Sequence, residues 1–140
     1  MKAGYDFTVF CLLSVYLFGI SRMDILYHEI SNFAPVILIL SSPFVSRIPL
    51  SERILGLLGV FLPLVAVNVL TNGFGMGDVK LCAAFGWILG AYTEYCSLAA
   101  ALTAAVIVGK FNHNNRLPLA PFISLSGMAA LLIKEGILKC

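Results

Sequence analysis

Ile54-Leu55-Gly56-Leu57-Leu58-Gly59-Val60-Phe61-Leu62-Pro63-Leu64-Val65-Ala66-Val67-Asn68-Val69-Leu70 runs without a single charged side chain. A stretch of this length approaches the ~20 apolar residues that a helix needs to cross the hydrocarbon of a bilayer. Working outward, comparable runs extend from Phe7 to Ile20, Phe33 to Val45, Val79 to Tyr92, Ser97 to Gly109 and Leu117 to Ile133. Across 140 residues the chain is 60% hydrophobic and 11% charged, with a mean hydropathy of +0.97. That leaves too little polar surface to coat a water-soluble globule, so the sequence specifies an integral membrane protein. Isolated apolar segments in lipid satisfy their backbone groups most economically as helices, and there are too few alternating strands for a closed barrel. The expected fold is therefore all-α, a polytopic bundle of about six transmembrane helices forming one domain over residues 1–140. Several runs are short for a full crossing and must borrow flanking residues.

Composition also excludes several functions. A net charge of +2, with nine basic residues scattered singly at the ends of apolar runs, fits interfacial anchoring in a lipid bilayer and not nucleic-acid binding. Cys11, Cys82, Cys96 and Cys140 form no C-x-x-C pair and have no histidine at ligand spacing. Buried thiols are expected, with neither a zinc site nor a disulfide framework. Lys2 before the first apolar run resembles the start of a secretory signal, but no small-x-small cleavage site follows, and the run reads as a retained span. Pro35, Pro43 and Pro63 are expected to kink or shorten the second and third helices. The glycines and alanines of the later runs should let helices approach closely.

The run is broken at Gly73-Phe74-Gly75-Met76-Gly77-Asp78-Val79-Lys80-Leu81, where a carboxylate sits at the mouth of a helix. An ionisable group in such a place is a functional-site hypothesis by default. If each run crosses once, the connections holding Asp24 and Asp78 are two crossings apart and share one face, joined there by the Lys110–Arg116 connection. Glu94, Arg53 and Lys134 fall opposite, as does Asp6, and Asp6 and Glu94 are thereby excluded from pairing with Asp24 and Asp78. Basic residues are spread almost evenly between the faces, so charge does not decide orientation.

Two carboxylates on one face suggest general acid/base hydrolysis, in which the pair shares one proton: the neutral member polarises a carbonyl while its partner activates water. No metal or cofactor is needed. Asp78 opens its helix, where the dipole favours the charged form, so it is expected to be the ionised member. The surrounding glycines allow unusual backbone conformations and a close approach by an extended peptide. Spacing alone leaves plainer readings open: Asp78 as a helix N-cap, Asp24 as an interfacial loop residue, or both as cation or proton ligands of a small transporter or accessory subunit.

Gly75-Met76-Gly77-Asp78-Val79-Lys80-Leu81, continuing to Gly90, resembles the second-aspartate signature of the type IV prepilin peptidases, the G-x-G-D aspartic membrane peptidases. Asp24 followed by Ile30, Ser31 and Asn32 resembles their first-aspartate motif, with Ser31 where proline is usual. Pro118-Leu119-Ala120-Pro121-Phe122 is similar to the segment that opens their last helix. The resemblance covers nearly the whole chain. It implies an endopeptidase with Asp24 and Asp78 as its catalytic dyad. The enzyme would remove the basic leader of prepilins or prepilin-like proteins at the cytoplasmic edge of the inner (plasma) membrane, just before the substrate's hydrophobic helix. Gly75, Gly77 and Lys80 would line the substrate path, and Glu29 would attract the basic leader, although a solvated loop charge is the plainer reading of Glu29. His28 reads as an interfacial loop residue, and Lys80, about 200° around the helix from Asp78, is not expected to pair with it. Larger family members carry a methylation domain with paired C-x-x-C motifs, so cleavage without N-methylation is expected here. The particular substrate and the oligomeric state are not encoded in any short motif.

Overall fold

The computed structural model of the protein describes residues 3–27, 32–46, 48–71, 75–111 and 119–134, with side chains from Thr8 onward except that of Val45. His28, Glu29, Ser31, Asn72, Arg116 and Pro118 lie outside the described residues, as does the Asp6 side chain. The described residues form six helices: α1 (Ala3–Tyr27), α2 (Phe33–Val45), α3 (Leu50–Thr71), α4 (Met76–Leu89), α5 (Ala91–Phe111) and α6 (Ala120–Lys134). The all-α membrane fold is as the hydropathy specified. Within the described residues, α1, α3 and α5 contain apolar spans of 20, 22 and 21 residues, long enough to cross a bilayer by themselves. Leu12, Val15, Phe18, Leu62, Leu70 and Val106 stand on the outer surface, where a soluble protein would place polar side chains.

The helices outrun the uncharged segments that mark them in the sequence. α1 continues past Ile20 to take in Asp24, and α5 begins early enough to take in Glu94. Lipid selects the uncharged stretches, but backbone hydrogen bonding carries a helix on through polar residues once neighbours cover them.

Pro63 does not break α3. Lacking an N–H, it leaves the Gly59 carbonyl without its intrahelical donor, and the Tyr95 hydroxyl of α5 donates to that oxygen instead. A helix interruption read from α3 alone is thus repaired from a neighbouring helix. Pro35 causes no break either, because it falls in the first turn of α2, where amides have no intrahelical acceptor anyway.

α4 is the centre of the bundle. Val79, Leu81 to Gly86, Ile88 and Leu89 are all buried, the pattern of a helix apolar around its whole circumference. Its neighbours approach through glycine. A Cβ on Gly56 of α3 would lie 2.0 Å from the Gly86 carbonyl oxygen, and one on Gly127 of α6 would lie 2.6 Å from the Phe85 ring. α4 ends at Gly90, whose φ of 83° is open to glycine and strained for other residues. α5 therefore starts immediately, at Ala91.

α4 packs on α2, α3, α5 and α6, whereas α1 packs on α2 and α6. Among the described residues α1 and α4 do not pack on each other. Of the thiols, Cys82 is buried as expected, but Cys11 and Cys96 are exposed. In a bundle whose outer surface is itself apolar, a cysteine in a hydrophobic run need not face inward.

Candidate active site

Asp24 lies in the last turns of α1 and is 7% exposed, so it is not a solvated loop residue. One turn earlier, Ser21 Oγ donates to the Leu17 carbonyl at 2.9 Å and lies 3.4 Å from Ser124 Oγ of α6. These contacts seat the end of α1 against the start of α6. There the Ala120 amide donates to Asp24 Oδ2 at 3.2 Å. Ala120 is the first residue of α6, where backbone N–H groups lack intrahelical acceptors and the helix dipole is positive. A carboxylate here satisfies an otherwise orphaned donor.

Asp78 is in the first turn of α4, but the N-cap is Gly75, and no side chain caps the helix. The N-cap reading of Asp78 is thereby removed. Gly75 has φ −67° and ψ 137°, a conformation open to most residues, so conformational freedom is not what that glycine supplies. Space is: a Cβ there would stand 3.3 Å from Asp78 Oδ2. Asp78 Oδ1 is buried without a hydrogen-bond partner among the described residues. Burial first, and the charge of Asp24 second, act on the Asp78 carboxyl. The two carboxylates that the sequence put on one face thus lie at one end of the bundle, within electrostatic reach of each other.

Around them, Gly77 is half-buried in the first turn of α4. Lys80 Nζ donates to Asn32 Oδ1 at 2.8 Å. Asn32 is the N-cap residue of α2, yet its side chain makes no capping hydrogen bond. The Ala120 amide and the Lys80–Asn32 link were not anticipated. Both partners of the link lie inside recognisable motifs, but no motif reports that α2 and α6 bring them together.

The opposite end of the bundle has its own polar cluster. Arg53 donates to the Ile48 carbonyl and to Ser42 Oγ, which also receives the Trp87 indole N–H at 2.9 Å. Lys134 donates to the Leu89 carbonyl. Glu94 is 1% exposed, with Oε2 accepting from Ser97 Oγ at 2.9 Å. It belongs to this end, as the crossing count implied, but it is sunk in the core and not set on a face.

Fold and site together define a polytopic all-α membrane protein with two carboxylates at one end of the bundle, Asp24 buried and Asp78 half-buried. The chain belongs to the type IV leader peptidase family, whose sequence profile matches residues 11–110. A similar protein is the prepilin leader peptidase/N-methyltransferase of Bacillus subtilis (strain 168). It is 35% identical over 118 residues, a match covering 74% of this chain and 48% of that protein. The chain thus spans about half the length of this curated relative. No solved structure matches.

Proposed function

We propose that this protein is a membrane-embedded aspartic endopeptidase that removes the leader of a prepilin or prepilin-like protein, with Asp24 and Asp78 as its catalytic dyad. The observation that carries the reading is the convergence of the α1 end bearing Asp24 and the α4 start bearing Asp78 at one end of the bundle, where α6 and α2 tie them in and each carboxylate is within reach of the other's charge. Family membership and the prepilin peptidase relative support the reaction class and substrate. The anion sits on Asp24, in reversal of the sequence-based expectation. The α6 N-terminus supplies Asp24 with a donor suited to a carboxylate, while Asp78 Oδ1 has none among the described residues.

In the first step Asp24 takes a proton from water as the oxygen attacks the scissile carbonyl, and protonated Asp78 donates to the carbonyl oxygen. The tetrahedral intermediate collapses as Asp78 recovers its proton and the proton on Asp24 passes to the leaving amine. One water is consumed, one peptide bond breaks and the dyad returns to its starting state. Gly75 and Gly77 keep the rim beside Asp78 free of side chains, so an extended peptide can approach. The cut falls at the cytoplasmic edge of the plasma membrane, and these 140 residues, having no C-x-x-C pair, perform it without methyl transfer.

The test is N-terminal mass spectrometry of a co-expressed prepilin, which reads the cleavage position and any methyl group together. Asp24→Asn and Asp78→Asn are each expected to stop cleavage while the protein still inserts, and Glu94→Gln, at the other end of the bundle, to retain it. Continued processing by either aspartate variant overturns the dyad. Loss of ion flux with processing intact would indicate a transporter instead.

A further inference from the structure

α1 carries Asp24 and α4 carries Asp78, yet among the described residues these two helices do not pack on each other. The separation of the carboxylates is therefore set at second hand, through the two helices that pack on both, α2 and α6. At the carboxylate end both routes carry polar clasps. On the α6 route one is the Ala120 amide with Asp24; on the α2 route one is Lys80 Nζ with Asn32 Oδ1. Lys80 follows Asp78 by two residues, and Asn32 begins α2 immediately beyond the connection that leaves Asp24.

We propose that Lys80 and Asn32 form a strut that fixes the gap between Asp24 and Asp78, making both positioning residues for the proposed hydrolysis. The inference rests on the dyad reading and extends it. An exposed hydrogen bond between side chains is often worth little, and three observations set this one apart. Asn32 occupies an N-cap position, where its oxygen would ordinarily bond the first-turn amides of its own helix, but it makes no such bond. Lys80, an ammonium, has a neutral amide oxygen as its partner, so the pair is a directional charge-assisted clasp at one defined point. Both residues also line an apolar groove of about 350 Å³, together with Pro35, Ile39, Leu57, Phe61 and Ala83.

This role differs from substrate binding by Lys80, and kinetics separate the two. A strut acts on the geometry of the reacting groups, so Lys80→Met and Asn32→Ala should each lower kcat between about 10- and 100-fold, the penalty of displacing catalytic groups by about 1 Å, with KM little changed. The double variant should be no worse than either single one. Asn32→Asp, which keeps an acceptor, and Lys80→Arg, which keeps a donor, should recover most of the rate. A rise in KM at constant kcat overturns the strut in favour of substrate binding, and unchanged kinetics in both single variants overturns it outright.

A second readout does not depend on activity. With the four native cysteines replaced by alanine, Asp24→Cys/Asp78→Cys should be joined by a short bifunctional thiol reagent, since the two backbones lie too far apart for a direct disulfide. Adding Lys80→Met should slow that reaction severalfold; an unaltered rate counts against the strut. If Asp24→Asn or Asp78→Asn leaves cleavage intact, the dyad itself fails, and the cross-linking result still shows whether the link sets the distance between these positions.

Discussion

Asp24, near the end of α1, accepts a hydrogen bond at 3.2 Å from the backbone amide of Ala120, the first residue of α6. This single contact joins the carboxylate to the one part of a helix that favours an anion, and it does so with a group that side-chain substitution leaves in place.

Ala120→Pro deletes that donor while keeping the helix, because proline is well suited to the first helical position and no intrahelical bond is lost there. A hydrogen bond to a charged group is worth about 1.5–3 kcal/mol. The variant should therefore lose roughly 10- to 100-fold in kcat/KM for leader cleavage, by about 1.4 kcal/mol per factor of ten. Thermal unfolding in detergent, followed in parallel, should show a moderate loss, since the same bond ties α1 to α6, with helix content unchanged. Activity equal to that of the unaltered protein would mean that the α6 amide does not support the anion.

The crossing of α3 over α4 rests on two glycines. A Cβ on Gly56 would come within 2.0 Å of the Gly86 carbonyl oxygen, and one on Gly86 within 2.5 Å of the Gly56 carbonyl oxygen. Backbone cannot yield as a flexible side chain does, so Gly56→Ala and Gly86→Ala should each destabilise the bundle by about 1–3 kcal/mol or more. Gly59→Ala is the internal control, since a Cβ there meets nothing closer than 3.9 Å and should be tolerated. Denaturation in mixed micelles distinguishes the three, and equal stability of Gly86→Ala and Gly59→Ala would refute the close crossing.

Tyr95 and Pro63 should be energetically coupled although they do not bond to each other. Tyr95→Phe leaves the Gly59 carbonyl without its donor and should cost about 0.6 kcal/mol, the average for interhelical hydrogen bonds in a membrane protein, and no more than about 1.7 kcal/mol. Pro63→Ala restores an N–H one turn beyond that carbonyl. In the Pro63→Ala background the penalty of Tyr95→Phe should shrink, a non-additivity that a double-mutant cycle measures directly. Additive effects would show that the hydroxyl does not stand in for the missing amide.

Much of this protein is legible without its tertiary structure, for a definite reason. Hydropathy reports the division of a chain between lipid and water, and that division is one-dimensional. The run Ile54–Leu70 and its five companions therefore mark all six helices. Counting crossings places Asp24 with Asp78, and Glu94 with Lys134. Helix ends were harder to read, because charged residues such as Asp24 and Glu94 extend helices once neighbours bury them. The thiols of Cys11 and Cys96 defeated a simple burial rule, since a membrane bundle presents apolar side chains outward as well as inward.

The sequence by itself determined an all-helical membrane protein, its family, and two carboxylates on one face. Only the tertiary structure decided that the helices bearing those carboxylates stay apart, that α6 offers Asp24 an amide, and that Lys80 reaches Asn32. Such relationships depend on the rotation and crossing of each helix. Those follow from contacts such as Gly56 on Gly86, between segments whose separation along the chain carries no record of their meeting.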